Sequence, residues 1–353
     1  MSQKPFEIAG ITIAPGERKT IDLPLAAMAT HNDVNMTMHI IHGKKPGPCL
    51  FVSAAIHGDE INGVEIIRRL VKYKQLSRLK GTLIAIPIVN VHGFITQSRY
   101  LPDGRDLNRS FPGSKKGSLA GRMADTFLTK VVNQCTHGID LHTGARHRDN
   151  LPQIRADLGI EEVNRLAEVF GVPVVVDSKI RDGSLRQAGG DNGIPILLYE
   201  AGEALRFDEV CIRAGVRGVQ NVMRELGMIP AAKQRLLKSN TVISTSTSWV
   251  RAPSSGIMRA LVSLGAKAKK GSVLGVIADP LGENEYQVIA PHEGIVIGRT
   301  NLPLTYEGDA LFHLAYYQDE SGIIVEEVEK FQEHFEPESS MDAPEDSIDG
   351  PIQ

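Results

Sequence analysis

His57-Gly58-Asp59-Glu60 sets an imidazole and a carboxylate three positions apart, directly after an apolar run and at the start of a segment with helical spacing. At such a strand-to-helix turn the two side chains can converge on one point. Nitrogen and carboxylate-oxygen donors suit Zn²⁺, which takes them at about 2.0–2.2 Å, and hydrolytic zinc sites commonly combine two histidines, one glutamate and a water position. Gly58 suits the tight turn. The motif is short, and alone it reads equally well as a helix cap. A third ligand must come from elsewhere. His142 is the candidate, because it ends the strand-like segment His137-Gly138-Ile139-Asp140-Leu141-His142 and is followed by the turn Thr143-Gly144. Asp140, two residues earlier, points the same way along a strand and could orient an imidazole.

Glu200 closes the apolar run Ile196-Leu197-Leu198-Tyr199. Burying an unpaired charge is costly, so a carboxylate there calls for a function, and acting as general base toward metal-activated water is one. The loop from Ser98 to Arg109 carries Arg99, Arg105, Asn108 and Arg109. Guanidinium groups grip carboxylates through paired hydrogen bonds, and near a metal they stabilise a developing oxyanion. His137 and His147 lie near His142 in sequence and are second-site candidates; the other histidines have no paired spacing.

These residues must be held by an α/β sheet. Leu50–Ile56 and Thr82–Val89 are uninterrupted apolar runs, which suit strands buried on both faces. Met36–Ile41, Val172–Val176 and Ile194–Tyr199 read as further strands. Helical spacing covers Asn62–Tyr73, Leu119–Val132, Glu161–Phe170 and Glu209–Leu226. This alternation predicts a mixed, mostly parallel central sheet with helices on both faces and functional residues at the carboxyl ends of its strands. From Val242 to Leu314 no helical pattern appears, and Ala252-Pro253-Ser254-Ser255-Gly256-Ile257 is echoed 38 residues later by Ala290-Pro291-His292-Glu293-Gly294-Ile295. A small all-β domain with two pseudo-symmetric halves is expected there. The expected layout is a catalytic domain over 1–240, a β domain over 241–320, and an acidic tail over 333–353 without apolar periodicity, expected to be disordered.

The 353-residue chain is too long for one small core and suits a large domain plus a smaller one. Its net charge of −3 supplies no global basic field for nucleic acid or anionic lipid. No apolar stretch is long enough to span a bilayer, and no apolar segment follows the first residues as in a secretory signal. The three cysteines are odd in number and widely spaced, as in a reducing cytoplasm.

His57-Gly58-Asp59-Glu60, Asp106-Leu107-Asn108-Arg109, Asp140-Leu141-His142-Thr143-Gly144 and Glu200, in that order, resemble the zinc carboxypeptidases. The details resemble the succinylglutamate desuccinylase/aspartoacylase branch over roughly His31 to Leu226. The resemblance implies one Zn²⁺ per subunit on His57, Glu60 and His142, with Glu200 as general base and acid. It implies Arg99 at the scissile carbonyl and Asn108 with Arg109 on the substrate carboxylate. The segment Leu101–Arg105 makes the spacing slightly longer than in aspartoacylases, so Arg105 is a rival to Arg99. Arg181, Arg186 and Arg206 are unassigned candidates for a further substrate contact. The C-terminal region resembles the barrel-sandwich hybrid of lipoyl and biotinyl carriers, yet its hairpin Asp279–Tyr286 has no lysine to carry a group. It reads instead as a lid or as an element of homo-oligomer assembly. The expected activity is hydrolysis of the amide bond of an N-acyl amino acid or similar small carboxylate-bearing molecule. The rivals are a zinc carboxypeptidase acting on peptides and a non-catalytic metal- or ligand-binding module.

Overall fold

The uninterrupted apolar runs form the middle of a mixed sheet in the computed structural model, which describes residues 3–231, 241–317 and 324–336. Ile196–Gly202, His137–His142, Lys45–Ala54 and Lys80–Ile86 lie side by side in parallel. Asp33–His42 and then Arg18–Ala27 extend one side in antiparallel sense, and Arg148–Ala156 extends the other. Helices cover both faces. Leu50, Val52, Ile139, Leu141 and Leu197 pack with residues of helices Asn62–Leu70, Glu161–Phe170 and Glu209–Glu225 in one core. Phe51, Ile84, Ile86 and Ile196 point the other way, into a second core with helix Leu119–Lys130. Burial on both sides is why these strands read as continuous apolar runs and not as an alternation.

On the second face the chemistry changes toward the carboxyl ends. The register sets Phe51, Gly138 and Ile196 in one cross-strand row, then Ser53, Asp140 and Leu198, with Glu200 opposite His142 in the next. Apolar packing at the amino ends thus gives way to polar side chains, within two residues on Lys45–Ala54 and His137–His142 and at Glu200 on Ile196–Gly202.

The echoed segments both start strands, Gly256–Ala260 and Gly294–Thr300, followed by Val273–Ala278 and Ala310–Tyr316. The first pair belongs to a four-stranded sheet and the second to the large sheet. Met258, Leu274 and Ile277 meet Val296, Leu311 and Leu314 in the core between them. This β-sandwich is joined edge to edge to the α/β part, because Gly294–Thr300 pairs antiparallel with the start of Arg148–Ala156, Gly298 opposite Asn150 and Thr300 opposite Arg148. Val242–Ser244, expected to open the small domain, instead pairs in parallel with Val174–Asp177. The strand Arg148–Ala156 has no apolar alternation and contains Pro152, features that argue against a strand; it forms because sheet neighbours flank it on both sides. Ile324–Phe335 is a helix with Val328 and Phe331 buried, so the tail expected to be disordered from Glu333 begins as ordered chain; 337–353 lies outside the described residues. No described helix is long and apolar enough to cross a membrane.

Asp149 sits at this junction, opposite Arg299. Burial, with Asp208 and Glu203 adding repulsion against the opposing pull of Arg299, pushes its carboxyl from 3.8 to about 6. A folded-state value above the unfolded one means that the ionised carboxylate weakens the fold at high pH, and that the penalty fades as pH falls through 6 toward 4. Roughly two units correspond to at most about 3 kcal/mol. Asp149→Asn is therefore expected to raise the thermal midpoint at pH 8 by roughly 2–6 °C and to change it little at pH 4, as measured by calorimetry at both values.

Candidate metal centre

Beyond Ala54 the chain leaves the sheet through Ala55, held at φ +51°, and delivers His57 and Glu60 just before the helix that begins at Asn62. Ala55 is a non-glycine residue in the left-handed region, which carries a local cost of order 1–3 kcal/mol. Gly58 is required here by crowding more than by φ. A Cβ on it would lie 1.9 Å from the carbonyl carbon of Gly93 and 2.1 Å from the nitrogen of Phe94. The short helix Val91–Ile95 is thereby packed directly against the ligand turn.

His57, Glu60 and His142 converge, all buried, with one ligand atom from each lying within 4.8 Å of the others. Glu60 bridges the pair: its Oε1 is 2.7 Å from His57 Nδ1 and its Oε2 is 2.6 Å from His142 Nδ1. The remaining ring nitrogens are also committed, His57 Nε2 to Asp106 at 3.1 Å and His142 Nε2 to Asp140 at 2.7 Å. Asp140 is held in turn by the Ser53 hydroxyl, which donates at 2.8 Å. An imidazole has two nitrogens, and when Nε2 donates to a carboxylate, Nδ1 is left with a lone pair. Two such lone pairs facing one carboxylate need positive charge between them. Either two protons or one divalent cation supplies it, so the donor set fits a divalent cation. Carboxylates behind ligating imidazoles are the usual outer support of such a site.

The electrostatics agree. Burial lowers the affinity of His57 and His142 for a proton, but Glu60 with Asp106, and Asp140 with Glu60, outweigh it and raise both. Burial would raise the Glu60 carboxyl, yet the two imidazoles hold it well below the carboxylate range. Asp106 is likewise held low by His57 and Arg99 against the effect of burial.

The triad lies in a cavity of about 660 Å³ that also receives Glu200, Arg99, Asn108 and Arg109. Arg99 donates to Glu60 at 3.1 Å and to Asp106 through Nη2 at 3.0 Å. Asn108 accepts from the Leu185 amide at 2.9 Å through Oδ1, which leaves its NH₂ for a ligand. Arg109 is pulled below its usual value by burial, then by Arg181 and Arg99. Glu200 accepts from Arg155 at 3.3 Å.

Arg105 is placed differently from its expectation as a rival to Arg99. The turn Leu101–Arg105, closed by Leu101 N–H donating to Arg105 O and by Gly104 at φ +75°, leaves its side chain 58% exposed beside Asp103 and outside the cavity. His137 pairs with Glu162, and His147 lies by Glu203, so neither joins His142. Arg206 is not on the cavity wall, whereas Arg181 and Arg186 are. Burial, and then Arg155, draws Arg186 down to about 10.

Sequence reasoning missed several wall residues. Arg148 and Arg155 come from the unrecognised strand, and Trp249, Arg251 and His313 come from the C-terminal strands. The one signal available was Trp249, the only tryptophan of the chain, standing in the otherwise polar run Ser246-Thr247-Ser248. Asp106 was recognised only as part of a motif; it ties His57, Arg99 and the Asn108 amide together.

Residues 46–226 match the family model of the succinylglutamate desuccinylase/aspartoacylase catalytic domain. The chain is 24% identical over 295 residues to an N-alpha-acetyl-L-2,4-diaminobutyric acid deacetylase of Halomonas elongata, a match covering 76% of this chain and 82% of that protein. Among solved structures it resembles the ectoine utilization protein EutE (DoeB) of Ruegeria pomeroyi, with a TM-score of 0.77 and 23% identity over 88% of this chain and 98% of the other. A succinylglutamate desuccinylase/aspartoacylase from Rhodobacter sphaeroides gives 0.74 and 23% over 85% and 96%. At these identities the structural matches speak to the fold.

Gly58→Ala is expected to lower stability by about 3 kcal/mol, the upper end of overpacking costs, because backbone and not a flexible side chain fills the space. Gly190→Ala, in helix Leu185–Asp191 with nothing within 4 Å of its added Cβ, is expected to be neutral or to stabilise by about 0.5 kcal/mol. Urea unfolding of the two variants separates close approach from a general intolerance of alanine.

Proposed function

The chain belongs to the succinylglutamate desuccinylase/aspartoacylase family, and from that premise we propose that it is a zinc-dependent deacylase cleaving the amide bond of an N-acyl amino acid or similar small carboxylate-bearing substrate. The observation that carries the reading is Glu200 standing directly opposite His142 in the parallel register, so that its carboxylate and the His57–Glu60–His142 donor set face one cavity.

His57, Glu60 and His142 would hold the ion. When bound, Zn²⁺ supplies a Lewis acid that polarises a carbonyl and acidifies water. Glu200 takes a proton from the attacking water and returns it to the leaving amine, so that its own charge is restored at the end of the cycle. Arg99, poised beside Glu60, offers donors to the oxygen on which negative charge develops. The Asn108 NH₂ and the Arg109 guanidinium grip a substrate carboxylate and thereby orient the scissile bond. Asp106 and Asp140 fix the two imidazoles and act through them.

The named activity of the Halomonas elongata relative, removal of an acetyl group from an amino acid, supports amide hydrolysis on a small molecule over peptide trimming. The three buried, free cysteines support a cytoplasmic setting as part of the same proposal.

Glu200→Gln is expected to keep one zinc per chain, measured by elemental analysis, while turnover of a panel of N-acyl amino acids falls by about 10²–10⁴-fold. Near-wild-type amidase activity in that variant would remove Glu200 from its role. Dipeptides assayed beside the panel separate deacylase from carboxypeptidase.

A further inference from the structure

The three cysteines are far apart in sequence, but the fold brings two of them together. The sulfurs of Cys49 and Cys135, 86 positions apart in the chain, lie 3.7 Å from each other. The parallel ladder sets Leu50 beside His137. One step before it, the Cys49 carbonyl accepts from the Thr136 amide at 2.8 Å and from the Thr136 hydroxyl at 3.0 Å. The Cys49 amide donates to that same hydroxyl oxygen at 3.1 Å. Thr136 thus clamps the backbone of Cys49 next to Cys135 through contacts that owe nothing to sulfur. Cys211 lies elsewhere, against Gly202 and the Asp208 side chain that caps helix Glu209–Glu225.

The two thiols form a directed chain. Cys49 donates to the Cys135 sulfur, and Cys135 donates to the Val131 carbonyl at 3.4 Å. That carbonyl also accepts from the Gln134 amide at 3.0 Å. Removing both thiol protons therefore orphans no buried acceptor, the loss that would oppose it most. A disulfide holds its sulfurs about 2.05 Å apart. Closing from 3.7 Å moves each sulfur by roughly 0.8 Å, a small turn about each Cα–Cβ bond. The pair also sits just beneath the surface. Cys49 is 8% and Cys135 6% exposed, and Gly47, Gln134 and Thr136 beside them are exposed. Local opening of this rim admits a small oxidant. Burial, and then Cys49 beside it, pushes the Cys135 thiol up, which keeps its reactive thiolate scarce and the reaction slow.

We propose that Cys49 and Cys135 are a modification site that closes to a disulfide with a hydroperoxide as oxidant. One thiol takes an oxygen from hydrogen peroxide, whose O–O bond breaks, giving a sulfenic acid and one water. The second sulfur attacks the sulfenic sulfur, and its proton leaves with the hydroxyl as a second water. Two electrons pass from the thiol pair to the peroxide. The new bond ties together the strands that lead to His57 and Glu60 and to His142, at the ends opposite those residues. Ala54, the last strand residue before His57, lies about 17 Å along the strand from Cys49. The bond therefore fixes the register of the two strands without touching the donor set. The site is independent of the deacylase reading. It suits a reducing compartment, where disulfides are transient and answer to oxidants.

The full-length protein, incubated with zinc, is treated with hydrogen peroxide, alkylated, digested and analysed by mass spectrometry, with circular dichroism confirming that it stays folded. The expected product is a pair of peptides joined through Cys49 and Cys135, with Cys211 still alkylated and both thiols recovered by dithiothreitol. The thermal midpoint is expected to rise by roughly 4–8 °C on cross-linking, because the bond closes a long loop of the unfolded chain. Zinc content is expected to stay as in the untreated protein. Cys49→Ser and Cys135→Ser, treated alike, carry any methionine oxidation without the cross-link, and are expected to show no rise above their own untreated midpoints. Cys49 and Cys135 both still alkylated in folded, treated protein, separate sulfinic acids on the two, or pairing with Cys211 or with a second chain overturns the site. A bond that forms yet lowers the midpoint or releases zinc overturns its reading as a strap that spares the donor set.

Discussion

Glu60 is buried, and both its oxygens meet imidazole nitrogens at hydrogen-bonding distance. A carboxylate in that position is tolerable only with matched positive charge, because transfer of an unpaired ion from water is strongly unfavourable. The match is built in layers. Two imidazoles and Arg99 meet Glu60, Asp106 and Asp140 stand behind the imidazoles, Arg99 also holds Asp106, and the Ser53 hydroxyl holds Asp140. The groups come from the ends of Lys45–Ala54 and His137–His142 and from the loop that carries Arg99 and Asp106, so the centre forms only when the parallel strands are in register. This coupling ties the chemistry to the sheet: a slip of one residue would turn Asp140, His142 and Glu200 to the apolar face.

The same sheet carries the influence outward. Arg148–Ala156 is shared, its first residues pairing with the β-sandwich and its later ones with Val174–Asp177. The sandwich is thereby continuous with the strands that lead to His57, Glu60 and His142. It is closer to an extension of the floor of the cavity than to a loosely tethered lid, and its Trp249, Arg251 and His313 face the same space as Glu200.

Gathering arginines in one hollow opposes stability, since like charges held in a partly dry space raise each other's free energy. The lowered affinity of Arg186 and Arg109 for their protons is the signature of that cost. Such a concentration persists where a ligand offsets it, in keeping with the general association of perturbed ionisable groups and function. The charges are thus spatially divided, with the His57–Glu60–His142 donor set and Glu200 at the strand ends and, along the walls, the guanidinium groups without a carboxylate partner among the described residues.

The His57–Glu60 turn and Glu200 were legible from sequence alone, because each follows an apolar run whose burial on two faces assigns it to a sheet, and His142 because it ends a short strand-like segment at the turn Thr143-Gly144. His137–His142 and Glu161–Phe170 match the sequence pattern residue for residue, and the β-rich character after Val242 followed from the absent helical period and the echoed segments. What only the tertiary structure decided is which polar residues join them. Arg148–Ala156 is polar and interrupted by proline, so nothing local marks it as a strand; its pairing partners come from positions 196–202 and 294–300. Arg99 and Arg105 are equivalent by residue type, and a five-residue turn alone separates the one on the cavity wall from the one in solvent. Periodicity reports burial, which is a property of the segment itself, whereas convergence of charges depends on register between distant strands, which no single segment carries.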